Sequence, residues 1–356
     1  MKRIMVVNLM MIILVMGFGL NLNLNGQVQA VKMERIIGEE DNKDDVFFSA
    51  NVTDIYVDKK NDNIYVMDTG ANTIRVFNSK GDFICDIGRK GQGPAEYLEL
   101  GTMCGLSNGQ YLVADPGNRR LQYFSVDWKP LQVIRTKDNR VTEVVPGENG
   151  FFYTTPNKGS KIFLVIGNQE GTQPVVYKIN AAGDVIKTLG SSPITKDFYL
   201  SEMNRNVTIL YGQDKLLYVI YSIVNKIEVY KEDKLVKTSK IPLKFNPVEP
   251  KSSMKQRGDS FYMELQMDWI ASDAAWNNNG KLVAAVYQES TYKAQSKKDN
   301  PPAKQNLCLL DVEKGTILKE WSAPKPVKAF DFLKNNRVVL LFETVEGCSL
   351  GIGTIK

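Results

Sequence analysis

Two fourteen-residue stretches of this chain repeat each other at an offset of 47 residues, and this repetition limits the fold more than any other feature. Residues 64–77 read IYVMDTGANTIRVF, and residues 111–124 read YLVADPGNRRLQYF. Asp68, Gly70, Ile74 and Phe77 fall on Asp115, Gly117, Leu121 and Phe124, and Val66 falls on Val113. Each stretch alternates as two short strands around a D-x-G turn. There a carboxylate can accept local backbone N–H bonds, and glycine tolerates positive φ. A second offset, of 102, relates FNSKGDFICDIG (77–88) to INAAGDVIKTLG (179–190). It aligns Asn78, Gly81, Asp82, Ile84 and Gly88 with Asn180, Gly183, Asp184, Ile186 and Gly190. Looser copies occupy 216–241, 306–321 and 337–355.

Units of four short strands at this period imply a β-propeller, in which each blade buries its faces only against its neighbours. Two polar insertions, 244–260 and 288–306, are expected to be long loops. Allowing for them, residues 31–356 divide into six units. The predicted fold class is all-β: a six-bladed β-propeller of four-stranded blades. Helix is expected only in short pieces near 195–205 and 259–268. The C-terminus stops after a third strand, so VKMERII (31–37) is expected to supply the fourth and close the ring.

The first 30 residues differ in kind. Lys2 and Arg3 precede the apolar run Ile4–Leu20, and Val28-Gln29-Ala30 offers small residues at a cut. These are the marks of a secretory signal peptide. Residues 1–30 are therefore read as the signal peptide and 31–356 as the propeller. An uncleaved anchor is the rival reading, and the run is near the short limit for spanning a bilayer. No cysteine lies near the cut to carry a lipid. The expected product is exported to the periplasm, cell surface or medium, as a monomer with no transmembrane segment in the mature chain.

Composition removes several chemistries. There is no histidine, which excludes Ser-His-Asp and Cys-His catalysis and imidazole-ligated zinc. An enzyme built from this chain would have to use carboxylates, Lys, Tyr or a hard cation such as calcium. The net charge is only +5, with no long basic block, so nucleic acid is not an expected partner. Cys85, Cys104, Cys308 and Cys348 show no C-x-x-C spacing. An exported chain can form disulfides, but the favoured reading is small apolar fillers of strand positions.

The stretch IGRKGQGPAEY (87–97) looks like a phosphate cradle. A true cradle leads into a helix whose N–H groups face the anion. Here no helix pattern follows, Pro94 removes a donor, and Glu96 and Glu99 add negative charge. The expectation is mechanical: glycines let the chain cross from the rim of one blade to the axis beside the next. Tyr97 would pack that crossover down.

Crossovers of this kind share one propeller face with the loops between second and third strands. Arg89, Lys90, Gln92, Asn72, Asn118, Arg119 and Arg120 are expected to gather there. They form either a polar, partly cationic surface for a partner or a solvated rim that satisfies turn backbones. Four inner strands are expected to open with a carboxylate: Asp54, Glu143, Asp273 and Asp331. These acids are expected either to ring the channel and suit calcium, or to accept backbone N–H bonds of their own or the next blade. Trp269 and Trp276 flank the fifth inner strand, as core or as a stacking surface.

The pattern G-x-x-G-x-G-P-x-E-Y at 88–97, with DPGNRRLQYF at 115–124, resembles the NHL-repeat class of propellers. More narrowly it is similar to the secreted or lipid-anchored six-bladed, TolB-like propellers common in Gram-negative gut anaerobes. The motifs carry the resemblance over 52–136 and on to 190, and strand pattern alone carries it beyond. It implies the fold and says little of activity, because that scaffold hosts lactonases, lyases, receptor modules and adaptors. The leading expectation is a non-enzymatic propeller that binds a protein, peptide or glycan through its loop face. The alternatives are a calcium-dependent, lactonase-like hydrolase or lyase acting in the channel, and an envelope-assembly adaptor. No cofactor is expected, apart from calcium under the lactonase-like reading.

Overall fold

A computed structural model of the chain describes residues 28–39, 48–136, 141–156, 171–195, 198–257, 260–295, 302–344 and 347–356. The first 27 residues of the expected signal peptide lie outside the described residues.

Six blades of four antiparallel strands follow one another along the chain, and the two-residue strand Gln29–Ala30 adds to the outer edge of the fifth, parallel to Trp321 and Ser322. Blade 1 runs from the axis outward as Val52–Val57, Ile64–Asp68, Thr73–Phe77 and Phe83–Ile87. Blade 2 is Met103–Gly105, Tyr111–Asp115, Arg120–Phe124 and Pro130–Arg135. Blade 3 is Val141–Pro146, Phe152–Pro156, Val176–Ile179 and Val185–Leu189. Blade 4 is Val207–Tyr211, Leu216–Tyr221, Ile227–Lys231 and Lys234–Ser239. Blade 5 is Ala271–Trp276, Leu282–Tyr287, Gln305–Asp311 and Thr316–Ser322. Blade 6 takes Val327–Leu333, Arg337–Glu343 and Cys348–Thr354 from the C-terminus. Its outermost strand is Lys32–Ile37, antiparallel to the last strand, with Lys32 opposite Thr354 and Ile37 opposite Leu350. The N-terminal strand closes the ring, as the sequence predicts.

Burial falls from axis to rim, and the residue types follow it. The second strands IYVMD and YLVAD are buried at every position, because both faces of each sheet are covered. The outermost strands FICDI and VIKTL are exposed at all but their last residue. The apolar core is divided into six clusters, one at each seam between neighbouring blades. Ile37, Leu350 and Val339 of blade 6, for example, pack with Val52, Ile55 and Phe77 of blade 1. A single blade therefore has no core of its own.

The turns related by the 102-residue offset have the same bonding. Asn78 Oδ1 accepts N–H bonds from Lys80 and Asp82, and Asn180 Oδ1 accepts them from Ala182 and Asp184. Gly81 and Gly183 adopt φ of +87° and +82°, which favours glycine.

One expectation is corrected. Residues 260–268 are not helical: Lys251–Arg257 and Ser260–Gln266 pair as two antiparallel strands that begin in the first insertion and run beyond it. The two-residue Gly-Asp link between matched seven-residue runs is a hairpin signal, and short apolar runs do not separate helix from strand by period alone. The Gly258 and Asp259 link itself lies outside the described residues. The expected helix near 195–205 is present as Phe198–Met203. The second insertion carries a short helix, Thr291–Gln295.

Candidate functional site

The crossover loop between blades 1 and 2 is fastened by blade 2. Arg120 Nη1 donates to the carbonyl of Gln92 (2.8 Å), and Nη2 donates to those of Gly93 and Glu96 (both 2.8 Å). Its Nε donates to Asp115 (2.9 Å). Asn118 donates to the carbonyl of Gly91 and to Asp115. Buried Gln122 accepts from Ala95 N–H and donates to the Glu96 carbonyl. The loop therefore turns a row of carbonyls toward a guanidinium, the opposite polarity to a phosphate cradle. Gly88 has φ +85°, and a Cβ there would stand 2.2 Å from the ring of Tyr97, which is fully buried. Tyr97 packs the crossover down, and Gly88 makes room for it.

The seven residues expected on this face divide in two. Arg120 is 8% exposed and is part of the fastening, as is Asn118. With its amide turned so that Nδ2 donates, Asn72 reaches the carbonyls of Leu98 (3.0 Å) and Tyr97 (3.1 Å). Arg89, Lys90, Gln92 and Arg119 are exposed. The Arg89 side chain is 81% exposed and pairs with Glu96 at 2.9 Å. The Gly93 N–H bond and then Arg89 hold the Glu96 carboxyl below its ordinary value.

The four predicted inner-strand acids all line one cavity of about 210 Å³ on the axis, walled by all six inner strands. Three of them accept hydrogen bonds across the seams. Asp273 accepts from Phe330 N–H (2.9 Å), from blade 5 to blade 6. Asp331 accepts from Val57 N–H (2.8 Å), from blade 6 to blade 1, and also from Phe332 N–H and Lys59 Nζ. Glu143 accepts from Ile209 N–H (3.1 Å), from blade 3 to blade 4. Asp54 accepts from its neighbour Ile55 N–H (2.8 Å). Blade 2 lacks the acid, and Thr102 Oγ1 there accepts from Val144 N–H (3.0 Å) of blade 3. Among the described residues, no three acids, cysteines or histidines stand close enough to share a metal ion.

These bonds carry a prediction. Asp331→Ala should cost about 1–3 kcal/mol in urea unfolding, because a buried N–H loses its acceptor, whereas Asp331→Asn keeps one acceptor and should cost less. Equal stability of all three proteins would show that the blade 6 to blade 1 seam does not depend on this latch.

The cavity occupies the half of the channel farther from the crossovers. It reaches Tyr56, Pro146, Tyr211 and Trp276 near the ends of their strands, and none of the strand-opening residues Val52, Val141, Val207 or Ala271 lines it. It points to the face of short turns. Cys104 lies on its wall with the thiol pushed up to about 12 by burial, so it is inert as a nucleophile. Trp276 stands at the cavity and packs edge-on against Tyr218 (5.1 Å), while Trp269 is half-buried outside it. Sequence reading missed Lys59, Thr102, Thr208 and Tyr211, which carry no motif and meet only when six strands converge. All four cysteines are free thiols, and only Cys85 is exposed.

A family model described as 6-bladed beta-propeller (DUF5128) matches residues 49–294. No curated protein matches the chain. Among solved structures, a gluconolactonase from Xanthomonas campestris is similar at 11% identity, covering 86% of each chain, with a TM-score of 0.53. U3-55K is similar at 11% identity, covering 92% of this chain and 100% of that one, with a TM-score of 0.52. At such identities the likeness shows the fold alone.

Proposed function

We propose, from the premise that the chain belongs to the 6-bladed beta-propeller family (DUF5128), that it is an exported binding module and not an enzyme. Its partner is a protein, peptide or glycan engaged on the crossover face. The observation that carries this reading is the fastening of the crossover loop. Arg120, Asn118 and Gln122 hold the loop through its carbonyls. Lys90, Gln92 and Arg119, with Arg89 beside them, are displayed on a frame that does not rest on them. Preorganised polar groups bind at low entropic cost, and three cations among the four favour an acidic partner.

The channel supports the same reading from the other side. Its carboxylates serve as acceptors for backbone N–H groups. A lactonase-like enzyme would need several of them together on one calcium ion, and among the described residues no three acids stand close enough to share one. Export rests on the basic and apolar N-terminal run, and kinship with the NHL-repeat and TolB-like propellers rests on the two motifs in blades 1 and 2.

The test is a combined Arg89→Ser, Lys90→Ser, Arg119→Ser variant, immobilised beside the natural protein. Both are challenged with envelope extract and with polyglutamate and heparin as acidic probes. The natural protein should retain them at low salt, with retention falling as the Debye length shrinks below about 10 Å. The variant should lose at least tenfold in binding at unchanged melting temperature. Equal retention overturns the proposal. A melting temperature that rises with calcium and falls with chelator would transfer the function to Asp54, Glu143, Asp273 and Asp331.

A further inference from the structure

The short-turn face has a chemistry of its own. Four carboxylates line the axial cavity, and Lys59 is the one cation among its lining residues. Acids outnumber the cation four to one, so the cavity is an acidic enclosure inside a protein of net charge +5. Its wall is otherwise apolar, with Ile55, Val144, Ile209 and Phe330, and its outer end is aromatic, with Tyr56, Tyr211 and Trp276. Thr208, 3% exposed, lines it, and the Thr208 Oγ1 has no hydrogen-bond partner among the described residues.

A second cavity of about 180 Å³ lies beside it between blades 3 and 4, and Tyr211 lines both. This annex already holds an ammonium. Lys178 Nζ sits 2.7 Å from Asp233, and 4.9 Å and 5.5 Å from the ring centres of Phe151 and Tyr153. The Tyr153 hydroxyl donates to the same carboxylate (2.8 Å). Burial opposes the charge on Asp233, but the bonds from Lys178 and Tyr153 prevail and hold its carboxyl below the ordinary range. Tyr211 stacks on Tyr153 at 5.7 Å, which joins the annex wall to the rim of the axial cavity. The chain thus solvates its own cation by aromatic faces and a carboxylate, and the axial cavity offers the same groups around open space.

We propose that the axial cavity binds a small organic cation: a primary or quaternary ammonium on an apolar body, entering between Tyr56, Tyr211 and Trp276. The apolar body lies against the inner strands. The charge meets the carboxylates and ring faces, and a primary ammonium also finds Thr208 Oγ1 as an acceptor. An anion of equal shape is repelled by the same field.

Calorimetry with 2-phenylethylammonium, phenyltrimethylammonium and 3-phenylpropanoate tests this on the natural protein and three variants. Asp54→Asn removes a charge and keeps the acceptor for Ile55 N–H, Tyr211→Leu removes the shared ring, and Arg89→Ser on the opposite face is the control. Both ammonium ions should bind at least tenfold more tightly than the carboxylate. Asp54→Asn and Tyr211→Leu should each weaken them about tenfold, and Arg89→Ser should change nothing. Equal affinity for cation and anion, no ammonium binding at millimolar concentration, or affinity unmoved by Asp54→Asn would each overturn the proposal. Should Tyr211→Leu fail to fold, Asp54→Asn and the anion comparison still decide.

Discussion

Arg120→Ala is expected to destabilise the protein by about 3–5 kcal/mol, the range for removing one partner of a buried ion pair. Asp115 is 0% exposed, and the change would strip it of its guanidinium. The Gln92 carbonyl would lose its guanidinium donor, and the carbonyls of Gly93 and Glu96 would each lose one of two donors. Arg120→Lys should recover little, because a point-like ammonium cannot reproduce a planar fork shared between one carboxylate and three carbonyls. The pair Arg120→Met with Asp115→Asn should recover more than Arg120→Lys, since it removes the stranded charge. Urea unfolding of the four proteins measures the order. A loss below about 1 kcal/mol for Arg120→Ala, the worth of an exposed pair, would mean that the loop is not held through this residue.

This residue also marks where sequence reading stops. The alignment of Asp68 with Asp115 shows two copies of one turn, and the structure gives both carboxylates a matching task. Asp68 accepts from the incoming Ser49 N–H, and Asp115 from Leu98 N–H. Asn78 and Asn180, read as equivalent, make equivalent bonds. Such features are local: a turn's chemistry is written in five consecutive letters. Whether Arg119 or Arg120 faces inward is not local, because strand alternation assigns sides only once the crossover loop has been placed over the blade. Arg119 takes the left-handed turn position at φ +51° and is exposed, whereas Arg120 opens the strand and is buried. The inner-strand acids were legible as a set, since Asp54, Glu143 and Asp273 are each third in a strand that must line the axis, whereas Asp331 is fifth in its strand, which begins earlier than the sequence pattern suggests. The equivalence of Thr102 to those acids was not, because a hydroxyl and a carboxylate share only the capacity to accept one N–H bond. Thr208 and Tyr211 become meaningful only through neighbours supplied by other blades.

Deleting residues 31–37 is expected to abolish cooperative folding. The segment is the outer edge of blade 6, with Ile37 1% exposed and packed at the seam with blade 1. Val31 packs at the seam with blade 5, where its N–H donates to Ser322. Burying Ile37 and Val31 contributes about 1.5–3 kcal/mol each, and the strand's ladder adds to that. Arg35 ties the seam from outside through Asp82 (2.7 Å) and the carbonyl of Lys80. In an open array of blades each seam can fail separately; in a closed ring a broken seam leaves both its blades held from their far sides. Loss of the closing strand also uncovers Cys348–Thr354, a strand buried at all but its last position, as an edge prone to pairing between chains. The decisive comparison restores the same strand by another route. Lys32 lies opposite Thr354, so the segment begins beside the C-terminus. Joining 31–39 after Lys356 through a short hairpin turn rebuilds blade 6 from one end of the chain. The deletion should aggregate or unfold over a broad range of urea, and the permuted chain should regain a single sharp transition. A deletion that unfolds as sharply as the natural protein would show that the ring is held by its other five seams without the N-terminal strand.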